Sequence, residues 1–294
     1  MKHAYMIMAH NQEKLLKILL KKLDCIDNDI FLHIDKKSRL DIGSLSAYVK
    51  YSRIYFAESV SVTWGGYSQI AAELSLMKKA RQVGLYDFYH FMTGVDLPLK
   101  PIEEINNFYE QNIGKEFINF SDKQECIRQY NLRIKYAHLF RDKCGRSKNF
   151  YTILNKAGIV LQKAINRTCT FGVDDFYCGS AYWDISQELV DYILDHESFI
   201  CDTFKYSSCC DEAFVQSLVW NNEYFRHRLY VEKLGNGRLG NMRWIDMDRG
   251  VDAGAYVIKG SDINEILSSG LLFARKFDYD KYPEAVNMIL DYGI

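Results

Sequence analysis

Residues 5 to 35 read YMIMAHNQEKLLKILLKKLDCIDNDIFLHID. Tyr5–Ala9 is an apolar run of strand length that stops at His10-Asn11, and Ile30–Ile34 is a second that stops at Asp35 before the polar loop Lys36-Lys37-Ser38. Between them Leu15, Leu16, Leu19, Leu20 and Leu23 recur at helical spacing with lysines interleaved, which predicts an amphipathic helix. A strand, a covering helix and a second strand in this order make a crossover unit, whose two strands lie parallel in one sheet.

The alternation continues downstream. Arg53–Phe56 fits a third strand, Ser68–Ala80 a helix with Ile70, Ala71, Leu74 and Met77 on one face, and Tyr86–Met92 a fourth strand closed by Thr93-Gly94-Val95-Asp96-Leu97-Pro98. The loops at Asn11, Asp35 and Asp96 then fall on one sheet edge, where open parallel sheets bind ligands. No G-x-G-x-x-G follows the first strand and no G-x-x-x-x-G-K-[ST] occurs, which argues against dinucleotide dehydrogenases, epimerases and P-loop enzymes. Further on, Gly179–Ile185 reads as a strand and Ser186 as the cap of a helix carrying Leu189, Val190 and Ile193. A second helix is expected to begin near Ser207–Cys210, and Asp262 with Glu265 reads as a cap-like pair before Ile266 and Leu267.

The chain has 294 residues, 48% of them apolar, and a formal net charge of -1, which fits one large globular domain and excludes a disordered tail or a globally basic nucleic-acid binder. No apolar run reaches the roughly 18–20 residues that would span a bilayer, and no signal cleavage site follows the first strand, so the expected location is cytoplasmic. The eight cysteines form no C-x-x-C pair and are read as reduced thiols. Residues 128–167 hold ten Lys or Arg against one acid, Asp142. This basic stretch is either a face attracted to an anionic membrane or a diphosphate-bearing acceptor, or a solvated surface balanced by acids elsewhere.

Several strings, in order along the chain, resemble the core-2/I-branching β-1,6-N-acetylglucosaminyltransferase family and the related peptide O-xylosyltransferases. They are His33-Ile34-Asp35-Lys36-Lys37-Ser38, Trp64-Gly65-Gly66-Tyr67-Ser68, Thr93-Gly94-Val95-Asp96-Leu97-Pro98, Gly179-Ser180-Ala181-Tyr182-Trp183, Cys210-Asp211-Glu212-Ala213-Phe214 and Leu272-Phe273-Ala274-Arg275-Lys276-Phe277-Asp278. The resemblance implies an α/β protein of the GT-A glycosyltransferase type: a single domain over 1–294, with a Rossmann-like nucleotide-binding half over about 1–120 and an acceptor and catalytic half over about 121–294. It further implies an inverting transfer from a UDP-sugar, N-acetylglucosamine foremost, to a glycan or lipid-linked glycan acceptor in cell-surface polysaccharide synthesis. No metal and no other cofactor is implied.

Such a displacement needs a base for the acceptor hydroxyl and a counter-charge for the departing UDP. Glu212 matches the family's catalytic glutamate, and its expected place in a first helical turn would favour its ionised form. Lys276 matches a diphosphate-contacting lysine. The family's partner arginine would fall at Ala253, which leaves Arg275, Arg249, Arg243 and Arg238 as candidates for a second cation. By the same resemblance Met8, Asp35 and Trp64 would meet the uridine, Asp96 would shape the donor-sugar pocket, and Trp244, Glu125 and Arg128 would line the acceptor site. Two alternatives stay open. One is a metal-dependent transferase using Asp27-Asn28-Asp29, Asp246-Met247-Asp248 or Asp278-Tyr279-Asp280, and the other is a silent glycan-binding protein that keeps the cleft.

Overall fold

The computed structural model describes residues 1–231, 240–251 and 254–292. Strand β1 (His3–Ala9) leads through helix α1 (Glu13–Leu23) to β2 (Asn28–Ile34), and β3 (Arg53–Phe56) leads through α2 (Tyr67–Val83) to β4 (Phe88–Thr93). After β5 (Leu97–Pro98), α3 (Ile102–Glu110) and β6 (Phe117–Ile118) come three successive helices, α4 (Lys123–Arg133), α5 (Arg141–Cys144) and α6 (Phe150–Ala164). The chain then re-enters the sheet as β7 (Trp183–Ser186), followed by α7 (Gln187–Asp195), α8 (Glu197–Phe204), α9 (Phe214–Trp220) and α10 (Glu223–Arg226). It closes with β8 (Arg243–Ile245), α11 (Ile263–Ser268), β9 (Phe273–Arg275) and α12 (Pro283–Asp291).

The main sheet has the order β3-β2-β1-β4-β7-β6, and a small second sheet has the order β5-β9-β8. The four strands read from the first third of the chain are parallel, with Met6 opposite Phe31 on one side and Phe91 on the other. The all-parallel expectation fails beyond β4, because β7 pairs with β4 antiparallel and β6 pairs with β7 antiparallel. No crossover helix joins β4 to β7: the chain passes through β5 and the helices α3 to α6 first, so the parallel constraint of a crossover unit does not apply. The seventh strand is also shorter than the expected Gly179–Ile185, since residues 179–182 form the loop that enters it.

Alternate residues of β1 bury on opposite faces. Tyr5, Ile7 and Ala9 join the core under α1 and α3 with Leu15, Leu19 and Ile105, while Ala4 and Met6 join the core under α2, α7 and α9 with Leu74, Leu189 and Phe214. A strand buried on both faces explains why Tyr5–Ala9 reads as a continuous apolar run. The predicted leucine stripe of α1 is wholly buried, and Ser186 caps α7 by accepting from the Leu189 N–H. Asp262, in contrast, accepts from the Lys259 N–H in a 3-10 turn and makes no cap to α11.

One polar cluster lies inside this apolar frame. The Asp184 carboxylate on β7 takes two 2.6 Å bonds from the Arg243 guanidinium on β8, a 2.6 Å bond from the Tyr109 hydroxyl on α3, and a 2.9 Å contact with His90 Nδ1 on β4. Asp184, Arg243 and His90 are all buried. Burial alone would raise the Asp184 pKa, but Arg243 and His90 hold it down at about 2. Arg243, a candidate phosphate cation, is instead committed here through both terminal nitrogens, which also donate to the Phe91 and Asn241 carbonyls. Removing one partner of a buried ion pair leaves the other uncompensated. Arg243→Leu is expected to lower unfolding free energy by about 3–5 kcal/mol in urea titrations at pH 7. The deficit should narrow as the pH falls and the orphaned, buried carboxyl takes up a proton.

Candidate active site

The carboxyl ends of β1, β2 and β4 open onto one cleft of about 1960 Å³, above the usual 300–1,000 Å³ of a pocket for one small ligand. Met8, His10, Asn11, Asp35, Lys37 and Trp64 line it from the first third of the chain, and the α4 residues Glu125, Arg128, Gln129 and Arg133 form another wall. Glu212, Trp244, Arg275 and Lys276 complete it, so most of the singled-out residues meet at one place.

Glu212 does not sit in the first turn of a helix. It ends a three-residue 3-10 turn, Cys210–Glu212, and α9 starts only after Ala213, whose backbone (φ -143°) breaks the helical path. A helix dipole therefore does not act on it as expected; its charge partner is Arg133, whose Nη1 lies 2.7 Å from the Glu212 carboxylate and 2.8 Å from the Cys209 carbonyl. Burial works against the Arg133 charge, and Glu212 more than offsets this, raising the guanidinium pKa. The Glu212 side chain remains 34% exposed, so one side is open to the cleft. Its neighbour Asp211 is buried, accepts a 2.8 Å bond from Gln69 Nε2, and is pushed up to about 7 by burial and by the Glu212 charge.

Three cations also line the cleft, Lys276, Arg275 and Arg146. Lys276 follows β9, and its amine pKa is lowered by burial and by the charges of Arg275 and Arg146 nearby. Arg275 lies over the Tyr182 ring at 3.9 Å and within 3.4 Å of Asp96, and burial lowers its pKa. Arg146 comes from the loop between α5 and α6, with its guanidinium 4.3 Å from the centre of the Trp64 ring; Arg141 lies 5.1 Å from the same ring. Among the described residues no carboxylate pairs with Arg146. Arg249 is held by Asp246 and Asp262, and Arg238 and Ala253 lie outside the described residues.

Local chemistry explains these placements. Gly65 has φ +73°, and a Cβ there would collide with the Arg141 guanidinium, just as one on Gly66 would collide with the Asp142 carboxylate. The Trp64-Gly65-Gly66 turn can therefore dock α5 directly, and Asp142 caps α2 by accepting from the Ser68 N–H at 3.2 Å, with the Ser68 hydroxyl donating to the same oxygen at 2.7 Å. Asp35 keeps a turn role, accepting from the Lys37 N–H at 2.9 Å, while still lining the cleft. Met8 lines it too, with its carbonyl taken by the Gly94 N–H at 3.1 Å. Asp96 departs from expectation. It is buried behind the wall, its two oxygens accept from the Thr93 N–H and hydroxyl at 2.9 Å each, and it reaches the cleft only through Arg275.

On the α4 wall, Arg128 binds Glu125 through two short hydrogen bonds and holds its carboxyl down at about 2. Arg133 was not singled out in the sequence, although Glu125, Gln129 and Arg133 recur every four residues and so share one face of α4. Of the Asp-x-Asp strings only Asp246-Met247-Asp248 lines the cleft, and carboxylates of all three strings have partners within the protein. Asp29 accepts from Tyr86 near the amino end of β2, Asp246 is bound by Arg249, and Asp278 and Asp280 both accept from Gln12 Nε2. Among the described residues no three His, Cys, Asp or Glu side chains converge on a shared ion position.

The chain is 23% identical over 313 residues to an N-acetyllactosaminide beta-1,6-N-acetylglucosaminyl-transferase of Mus musculus, covering 97% of this chain and 71% of that protein. It is 21% identical over 199 residues to a beta-1,3-galactosyl-O-glycosyl-glycoprotein beta-1,6-N-acetylglucosaminyltransferase of Bos taurus, covering 66% of this chain but only 42% of that one. Among solved structures it is similar to mouse xyloside xylosyltransferase 1, with a TM-score of 0.34 at 10% identity over 76% of this chain and 83% of that chain. The family model described as Core-2/I-Branching enzyme matches residues 3–267. The chain therefore belongs to the core-2/I-branching family and is a glycosyltransferase.

Proposed function

We propose that this glycosyltransferase is inverting and metal-independent, and that it moves a sugar, N-acetylglucosamine foremost, from UDP to a hydroxyl of a glycan in cell-surface polysaccharide synthesis, working in the cytoplasm. The observation that carries the reading is that one cleft holds both an open carboxylate, Glu212, and the cluster of Lys276, Arg275 and Arg146. In this reading the Glu212 carboxylate takes the proton of the acceptor hydroxyl as its oxygen bonds to the anomeric carbon. The bond from that carbon to the UDP oxygen breaks on the opposite face, and the leaving diphosphate takes the electron pair. Fixed cations at that position stabilise the charge that develops there. Arg133 is a positioning residue for Glu212, and Arg146 is the second cation beside Lys276, stacked on Trp64 where it is held in the cleft. The sheet with its carboxyl-edge cleft supports a GT-A-type arrangement, with Asp35 and Trp64 near the nucleotide and Trp244, Glu125 and Arg128 near the acceptor.

Glu212→Gln is expected to reduce turnover by about 10² or more while UDP affinity by calorimetry stays unchanged, because the amide cannot accept the proton; equal turnover would remove Glu212 from the role. Lys276→Ala and Arg146→Ala should each weaken UDP binding about tenfold or more, the scale of a lost charge-assisted contact. Unaltered affinity in Arg146→Ala would return the second cation to another residue. Transfer should persist in EDTA. A strict requirement for added Mn²⁺ would favour an ion at Asp246 and Asp248, the one Asp-x-Asp string that lines the cleft.

A further inference from the structure

Helix α6 is amphipathic in the reverse sense to a surface helix of a globular protein, which turns its apolar stripe inward. Its amide side chains, Asn155 and Gln162, face the body. Gln162 both accepts from the Ala137 N–H at 2.8 Å and donates to the Ala137 carbonyl at 3.0 Å, and Asn155 accepts from the Phe140 N–H at 3.2 Å. Leu154 and Ile159 are half-buried, but most of its large apolar residues face outward: Phe150, Ile153, Val160 and Leu161 are between 62% and 67% exposed, and no residue of the helix is buried. With Ala157 and Ala164, also exposed, they follow the three- and four-residue spacing of one continuous stripe. The helix is nevertheless well anchored, since Asn149 and Thr152 close its start with a capping box.

The charges around the stripe are of one sign. Lys143, Lys148, Lys156, Lys163 and Arg167 flank or border it, and no Asp or Glu occurs between Lys143 and Val173. Lys143 and Lys163 lie against the Tyr151 and Tyr136 rings at 5.1 and 5.4 Å, with their ammonium groups at the margin of the apolar strip. An apolar strip bordered by lysines fits the boundary between acyl chains and anionic headgroups, where the strip enters the hydrocarbon and the ammonium groups meet phosphate. A second copy of this chain is a poorer occupant, because a two-fold contact through the stripe would bring the same lysines face to face. The basic stretch read from the sequence thus divides in two. Arg128, Arg133 and Arg146 turn into the cleft, and the α6 lysines turn out.

We propose that α6 is a bilayer-docking helix that inserts this outward apolar stripe into the headgroup region of an anionic membrane. The loop carrying Arg146 leads directly into α6, so docking would set the cleft mouth close to the membrane surface, within reach of an acceptor carried on a lipid. The inference goes beyond the proposed reaction and rests on burial and charge alone. Its readout is binding to vesicles, which does not depend on which sugar or acceptor is used.

The test is flotation of the intact chain with vesicles of phosphatidylcholine, with and without phosphatidylglycerol, at low and high salt. The wild type should float with the phosphatidylglycerol vesicles, stay behind with phosphatidylcholine alone, and release as salt rises. Val160→Gln with Leu161→Gln, and separately Lys156→Gln with Lys163→Gln, should each reduce bound protein about tenfold or more with the thermal midpoint unchanged, since these side chains are exposed. Absence of wild-type binding to anionic vesicles would overturn the proposal, as would equal binding by Val160→Gln with Leu161→Gln. So would a wild-type dimer in light scattering that this double variant abolishes, which would make the stripe a protein interface.

Discussion

The buried pair Asp184–Arg243 is the constraint on which the rest of the molecule depends. A carboxylate and a guanidinium taken out of water cost several kcal/mol each unless their polar atoms are placed well, and here Tyr109, His90 and two backbone carbonyls serve them, leaving Arg243 Nε as the one guanidinium nitrogen without a partner. The two histidines contribute as neutral rings. His3 is held at about 2 by burial and by His90, and the His90 pKa is likewise lowered by burial despite Asp184. Tyr5 stacks on His90 with ring centres 4.4 Å apart, so the cluster is sealed by aromatic surface. Its members come from β4, α3, β7 and β8, so satisfying one carboxylate fixes the angle at which the small sheet meets the large one.

That angle matters because β9 lies beside β8 and ends in Arg275 and Lys276. The cations of the cleft are thus carried by a sheet whose position is set from inside the protein, and Gln12 holds the segment after Lys276 by binding Asp278 and the Tyr279 N–H. Three carboxylates are graded by burial. Glu73 is fully buried, with its pKa raised well above normal by burial and by Asp211; Asp211 titrates near 7, and Glu212 has its Arg133 partner and an open face. Of these three carboxylates Glu212 is the one with a substantial open face, and fixed charges beside a cleft need no reorganisation when a reaction develops charge between them.

The fold was legible where the sequence pattern has a single structural cause. Leucines at helical spacing in α1 and strands buried on both faces admit one interpretation, and β1 to β4 lie close to where the residues put them. The site was legible as an address: Glu212, Lys276, Asp35, Trp64 and Trp244 do meet in one cleft. What could not be read was which charge each charge meets. Arg243 and Arg146 are both arginines in polar surroundings in the sequence, yet one is locked in the core and the other lies on an indole in the cleft. Arg133 was visible only as one of ten basic residues, because its partner is 79 positions away (212 − 133). Asp96 ended a strand as expected, but its carboxylate was already satisfied by Thr93, three residues before it.

The Gly65 carbonyl accepts from the Cys209 N–H at 2.8 Å and from Arg141 Nε at 3.2 Å, so one oxygen fastens the indole turn, the α5 loop and the turn that ends in Glu212. A side chain at residue 65 would run into the Arg141 guanidinium and the Cys209 thiol, and one at residue 66 into Asp142. For an engineer this hub is a fixed point: libraries aimed at new sugars can vary the rim around Trp64 and Tyr182, while the glycine pair stays untouched as the hinge pin on which every other wall is aligned.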